Sequence, residues 1–347
     1  MTLFFPACGG EPTIAAIEAL RSGWQGPEPL RLLGSDTDAD KRAVVAVDQF
    51  WTSPRRDDPV YVEFLSDRCL EEGVDILWPN PTEEQLFFSR NRARFESLGV
   101  ALLLPPQEAL EVLADKSRTY ERAASLGMRV PQWKPVANWS ELCAAAEAFG
   151  YPQRPVVFRR TSGKGGIGLR VLSEDPHDLG DLFTQQPSGL VIPLTALRSW
   201  LKAHPRWPSC MVCEYLSGRE FDVDCLGSAG TLLTAIPRRN DAMWWGTSAR
   251  AETVDRPDLV EACRRLLGSL GWQYICSVTF REDAEGRPAL LEVNTRMPAC
   301  INLSWRAGYN LPLAALHLLL GRDLPPFTPP IWGVRLIRFF GESYLMP

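Results

Sequence analysis

Histidine is scarce in this chain of 347 residues, and the three present, His177, His204 and His317, stand far apart with no nucleophile signature beside them. A histidine-based triad is therefore unsupported. No apolar stretch approaches membrane length; the best, Leu311 to Leu320, is short and contains His317. No basic block stands out, and the formal net charge is −5, which disfavours a dedicated nucleic-acid binder. The start, Met-Thr-Leu-Phe-Phe-Pro-Ala-Cys, lacks a basic n-region and soon meets Gly9, Gly10 and Pro12, so it reads as a strand and its turn rather than a signal peptide. Nine scattered cysteines, an odd number, suggest no disulfide framework, and a reduced, cytoplasmic protein is expected. Lysine is confined to positions 41, 116, 134, 164 and 202, so a single arginine says little about function in a chain this rich in arginine. Internal repeats and low-complexity segments are missing too. What remains is an ordinary globular composition, 45% hydrophobic and 23% charged, in a chain longer than one core usually organises.

The first third alternates short apolar runs with helical patterns: Leu3-Phe4-Phe5, Thr13 to Leu20, Leu30 to Leu33, Pro59 to Glu72 and Val74 to Trp78. Strands alternating with helices predict a parallel sheet with helical crossovers. Two strands end in turn signals, Ala7-Cys8-Gly9-Gly10 and Asn80-Pro81-Thr82-Glu83, which places loops at the carboxyl edge where such sheets build sites. After Pro105-Pro106 a helical stretch runs from Gln107 to Leu126 and is closed by Gly127, and the first domain is expected to span 1–110. Residues 111–212 read as strand, helix, strand and hairpin, with the helix at Trp139 to Phe149 and a strand at Pro155 to Arg160. Residues 213–325 carry two long strand patterns, a helix at Pro257 to Leu270 and a final helix ending at Gly321. A proline-marked tail, 326–347, has room for one more strand within Gly333 to Phe340.

The sharpest local feature is Arg159-Arg160-Thr161-Ser162-Gly163-Lys164-Gly165-Gly166-Ile167-Gly168. Its Gly163-x-Gly165-x-x-Gly168 subset matches the dinucleotide fingerprint by letter, yet it leads into a strand, Leu169 to Leu172, whereas the fingerprint opens a helix. Strand, glycine loop and returning strand make a flap whose backbone N–H groups can close over phosphates; a plain hairpin tip is the alternative. Protein kinases use a comparable flap, but neither His-Arg-Asp nor Asp-Phe-Gly follows.

In a second constellation, Val212 to Asp224, period 2 places Glu220, Asp222 and Asp224 on one strand face and Phe221, Val223 and Cys225 on the other. Three acids on one face repel unless they are solvated or meet a cation or a polyhydroxyl ligand. In a third, Glu292, Asn294 and Arg296 share a face at the end of an apolar strand. A carboxylate and an amide oxygen two residues apart suit Mg2+, and an arginine next along that face would neutralise a transferring phosphoryl group; a plain amphipathic strand is the alternative. Cys210-x-x-Cys213 suggests metal or redox chemistry, but residues three apart on a strand face opposite ways, and no second pair completes a zinc site.

Together these motifs resemble the ATP-grasp superfamily, and the resemblance covers nearly the whole chain. The order is the family's: an α/β domain, Asp115-Lys116 entering a helix, Leu-Gly-Met-Arg-Val-Pro at 126–131, the strand and glycine flap, a Glu-Tyr-Leu-x-Gly-x-Glu hinge, and Glu-Val-Asn-Thr-Arg. The last, followed by Ser304 to Gly321, looks most like the carbamoyl-phosphate-synthetase branch, of carboxylate–amine ligase type. The implied fold is α/β and α+β: an N-terminal Rossmann-like parallel α/β (pre-ATP-grasp) domain, then a two-lobed ATP-grasp domain with 111–212 as small lobe and 213–325 as large lobe.

The resemblance also assigns roles. Arg159 matches the basic residue that holds ATP phosphates, Lys116 a basic residue near the nucleotide entry, and Gly165 and Gly166 the flap backbone. Glu214, Tyr215 and Leu216 match the hinge that reads the adenine edge, and Glu220 the acid that accepts from ribose hydroxyls. Glu292 and Asn294 match Mg2+ ligands, and Arg296 the arginine facing the γ-phosphate. Arg238, in a loop where relatives often contact substrate, and Lys164, in the flap, complete the catalytic candidates. The family usually has Gln, Glu or Asp on the strand before Glu-x-Asn; Thr279 stands there in this chain, a neutral and poorer metal ligand.

The activity so implied is ATP-dependent joining of a carboxylate to an amine, with one or two Mg2+ ions for which Mn2+ can substitute. Its partners are small-molecule carboxylate and amine substrates, without nucleic acid or membrane, and a homodimer is compatible. Phosphorylation of a carboxylate or carbamate without amide formation is one rival reading. A nucleotide-binding regulatory protein that has lost its chemistry, motivated by Thr279, is another.

Overall fold

The computed structural model describes residues 1–163, 166–174, 190–204, 206–244, 246–339 and 341–345. The expectations for Lys164 and Gly165 lie outside the described residues. The apolar runs of the first third become β1 (Thr2–Pro6), β2 (Arg31–Asp36), β3 (Gln49–Thr52), β4 (Ile76–Leu77) and β5 (Ala101–Leu102), all parallel in the order β3-β2-β1-β4-β5. Helices α1 (Glu11–Gly23), α2 (Tyr61–Glu72), α3 (Thr82–Arg90), α4 (Arg92–Ser97) and α5 (Gln107–Leu113) alternate with them. Covered on both faces, β1 is apolar and buried from Leu3 to Pro6 rather than alternating. Leu3 and Phe5 pack with Ile17 and Leu20 of α1 on one side, while Phe4 packs with Tyr61 and Leu65 of α2 on the other.

The helix expected over 107–126 is two helices, α5 and α6 (Lys116–Ser125). Apolar periodicity runs through the break, but Asp115 takes an extended backbone and its side chain accepts from the N–H groups of Ser117 and Arg118. Such a cap satisfies donors that the first turn leaves free. Then follow β6 (Trp133–Val136), α7 (Trp139–Ala148), β7 (Val156–Arg160), β8 (Arg170–Leu172), β9 (Val191–Ile192), α8 (Arg198–Ala203) and β10 (Cys210–Glu214), with sheet order β6-β10-β7-β8-β9. Val156, Phe158 and Val212 pack against Leu142 and Ala146 of α7. Cys210 joins that cluster and Cys213 packs with Tyr120 and Met211 instead, so the two thiols face opposite ways as their spacing predicts. All nine cysteines are free.

A third sheet has the order β15-β14-β11-β12-β13-β16. Its strands are β11 (Glu220–Ser228), β12 (Thr231–Trp244), β13 (Thr247–Thr253), β14 (Tyr274–Glu282), β15 (Pro288–Asn294) and β16 (Arg335–Ile337), the last drawn from the tail and paired to β13. Helix α9 (Pro257–Gly268) buries Leu259, Cys263 and Leu266 completely. The final helix expected to Gly321 is again two, α10 (Ile301–Arg306) and α11 (Leu311–Leu319). Gly308 at φ +116° ends the first, and the Asn310 side chain caps the second by accepting from Leu313 N–H.

The chain divides into two compact units: Met1–Ala114 with Phe221–Thr279 and Glu292–Pro347, and Asp115–Glu220 with Phe280–Leu291. Among the described residues no helix is long and apolar enough to cross a membrane.

Candidate functional site

In the smaller unit the start of α6 grips the base of the glycine loop. Lys116 N–H donates to Thr161 O (2.8 Å), Asp115 Oδ2 accepts from Thr161 Oγ1 (2.9 Å), and Lys116 Nζ donates to Gly163 O (3.3 Å). Gly163, Gly166 and Gly168 have φ of +114°, +69° and +80°, a region that side chains other than glycine's rarely enter. On β7, Arg159 stands opposite Met211 of β10. Burial pushes the Cys213 thiol up to about 12, and Arg159 and Lys116 both act to draw it back.

The segment that follows β10 is held by Arg129 and Arg281, to which the sequence reading gave no role. Arg129 binds the Glu214 carboxylate (3.4 Å), Asp283 (2.9 Å) and the Arg287 carbonyl (2.8 Å). Leu216 is buried. Gly218 N–H donates to Glu282 O (2.8 Å), and a Cβ at 218 would meet the carbonyl oxygens of Glu282 and Asp283 at 2.7 Å, so only glycine allows this approach. Arg281 lies 5.8 Å from the Tyr215 ring centroid, donates Nε to Gly218 O (3.3 Å) and reaches the Glu220 carboxylate at 3.6 Å.

In the larger unit β15 alternates as read: Val293 and the adjoining Thr295 are buried, while Glu292, Asn294 and Arg296 are half-buried. Thr295 Oγ1 donates to Gln85 Oε1 (2.9 Å) and lies 3.1 Å from Thr82 Oγ1, and Met297 N–H donates to Asn80 Oδ1 (3.0 Å). The Asn80-Pro81-Thr82 turn, expected at a sheet edge, thus clamps the end of the Glu-Val-Asn-Thr-Arg segment. Arg296 Nη1 donates to Met297 O (3.0 Å). Burial draws the Arg296 guanidinium below its ordinary value, against the pull of Glu292, Glu83 and Asp222, while Arg238 adds to the lowering.

The acids on β11 meet a cation, and it is internal. Arg238, 4% exposed, donates Nη2 to Asp222 Oδ2 (2.8 Å) and Nη1 to Asp224 Oδ1. Asp222 also accepts from Asn240 Nδ2 (2.9 Å) and Thr279 Oγ1 (2.6 Å), and Asp224 from Ser277 Oγ (3.0 Å) and Ser304 Oγ (2.7 Å). Burial alone would push Arg238 toward its neutral form, but Asp224 and Asp222 reverse this and hold it charged. Arg238 was expected in a substrate loop; it lies in β12 because two buried carboxylates require a fixed counter-charge. Glu292, Asn294 and Thr279 offer oxygen donors only, the set a hard cation takes.

Residues 206–338 match the family model described as "ATP-grasp in the biosynthetic pathway with Ter operon". Over 239 residues, 66% of this chain, the sequence is 23% identical to the arginine-specific large chain of carbamoyl phosphate synthase from Geobacillus stearothermophilus, of which 21% is covered. The chain spans between 21% and 53% of the length of the curated relatives it matches. Among solved structures, the biotin carboxylase domain dimer of Hydrogenobacter thermophilus 2-oxoglutarate carboxylase, with MgADP, ADP and bicarbonate, has a TM-score of 0.68 at 18% identity, covering 95% of this chain and 72% of that one. L-amino acid ligase from Bacillus licheniformis has a TM-score of 0.62 at 15% identity, covering 92% and 74%. By these likenesses the chain has the ATP-grasp fold, and its residues 206–338 match an ATP-grasp family model.

Proposed function

We propose that the chain is an ATP-dependent ligase. A substrate carboxylate oxygen attacks the γ-phosphorus of ATP and ADP leaves; an amine nitrogen then attacks the acyl carbon, phosphate departs and the amine's surplus proton passes to solvent. The observation that carries this reading is the clamped strand end, which presents Glu292 and Asn294 as oxygen donors with Arg296 beside them. Mg2+, held by Glu292, Asn294 and Thr279, would supply charge neutralisation on the phosphates.

The chain's own groups do the rest. Arg159 and Lys116 hold phosphate oxygens, with the flap backbone at Gly166 beside them. Backbone at Glu214, Tyr215 and Leu216 reads adenine, and Glu220 accepts from ribose. Arg296 meets the charge on the transferring group, which in phosphoryl transfer is most of what a protein contributes. Arg238 acts from beneath, fixing Asp222 and Asp224. The lobes proposed for this work are 111–212 and 213–325, after the domain at 1–110. Nine free cysteines support a reduced, cytoplasmic setting.

ADP release with pooled carboxylic acids and amines tests the reading. Release only when both pools are present is the expected result. Release with acids alone would favour plain phosphorylation, and none at all the binding protein that Thr279 suggests. Nucleotide choice gives a separate check: Glu220→Ala weakens ATP binding by about 1.5–3 kcal/mol, the worth of hydrogen bonds to a charged group. Calorimetry showing unchanged ATP affinity, or equal ATP and GTP affinity in the parent chain, would remove the hinge assignment.

A further inference from the structure

We propose that Asp222 is a positioning residue for the cation site and supplies, through Thr279, the negative charge that Thr279 itself lacks. This rests on the ligase reading above. A carboxylate only accepts, so the 2.6 Å contact between Thr279 Oγ1 and Asp222 Oδ1 must use the threonine proton. Both lone pairs of Oγ1 are then left for another partner, and the oxygen is more electron-rich because its proton is held by an anion. Outer groups of this kind commonly orient a metal ligand and raise its basicity.

Asp222 is itself held in place. Its Oδ2 accepts from Arg238 Nη2 and Asn240 Nδ2, and the Asn240 Oδ1 in turn accepts from Ser248 Oγ (2.7 Å). Asp224 is the natural comparison, since it shares Arg238. It is fully buried and accepts from Ser277 and Ser304, which lie outside the proposed donor set, whereas Asp222 is the one that accepts from Thr279. The charge missing from β14 at 279 is present one strand away, on β11 at 222.

The test is ADP binding by calorimetry while Mg2+ is titrated, with thermal melting to confirm folding. Asp222→Asn keeps an oxygen that can accept from Thr279 and removes only the charge. The Mg2+ concentration that half-restores ADP affinity is expected to rise about tenfold to a hundredfold, the usual cost of losing an outer partner. Asp224→Asn removes an equal charge from Arg238 and should raise it much less. Asp222→Asn combined with Thr279→Asp returns a carboxylate to the site and should recover the parent's Mg2+ requirement; this variant also serves if Asp222→Asn alone fails to fold. An unchanged Mg2+ requirement in Asp222→Asn, equal shifts in the two single variants, or no recovery in the double variant would each overturn the inference while leaving the ligase reading standing. Nucleotide binding by the parent chain that ignores Mg2+ would overturn the metal assignment and this inference together.

Discussion

Glu292→Gln lowers turnover by about a hundredfold or more and leaves the fold intact, because one preorganised charge at a phosphoryl-transfer centre is usually worth that much. Glutamine keeps the shape and one oxygen donor, but it removes the carboxylate of the donor set on β15. Arg296 feels the loss as well. Burial already draws that guanidinium down, and Glu292 is the foremost of the groups opposing it. ATP affinity falls less, since the proposed adenine and ribose contacts at Glu214 to Glu220 belong to another part of the chain. Steady-state ADP release at saturating and limiting Mg2+, beside calorimetry with ADP, checks both halves. Equal activity of parent and variant at limiting Mg2+ would put the metal elsewhere.

The second large effect is on stability. Arg238→Met costs about 3–5 kcal/mol in chemical denaturation, the range for breaking a buried ion pair by removing one partner. Asp224 has no exposed surface, and without the guanidinium it and Asp222 face each other uncompensated. Adding Asp222→Asn and Asp224→Asn to Arg238→Met should recover most of the loss, because a neutral set of the same shape no longer carries unpaired charge. A loss below about 1 kcal/mol in the single variant would mean that solvent reaches the pair, as it does in surface bridges.

Local periodicity made much of this legible. The parallel sheet followed from strands alternating with helices, and the alternation on β11 and β15 put the acids and the Glu292, Asn294 and Arg296 set on their faces. What stayed hidden depends on partners distant in sequence. Nothing near Asp222 and Asp224 announces that Arg238, on the neighbouring strand, closes them off, and an acid row reads the same whether it awaits a ligand or already has its cation. The helix breaks at Asp115 and Gly308 were missed because apolar spacing continues across them, while a side-chain cap and a left-handed glycine decide the backbone. Arg281 gave no sign, since arginine is common throughout the chain, and Arg129 lay in a quoted motif without its partners Glu214 and Asp283 being visible.

The contacts of Asn80, Thr82 and Gln85 with Thr295 and Met297 join groups 210 to 217 positions apart. On the ribosome, the five parallel strands up to Leu102 are complete long before those partners exist. Until synthesis passes Met297, those polar side chains have water in place of these partners, and contacts of such long range form slowly. The proposed phosphate-handling strand end is thus seated on a sheet whose strands precede it in synthesis by some two hundred residues. Truncation just short of residue 297 should also strip Ile301, Leu311 and Leu316 from the core that Leu3, Phe5 and Ile17 share with them, so the parallel sheet loses stability along with the chemistry.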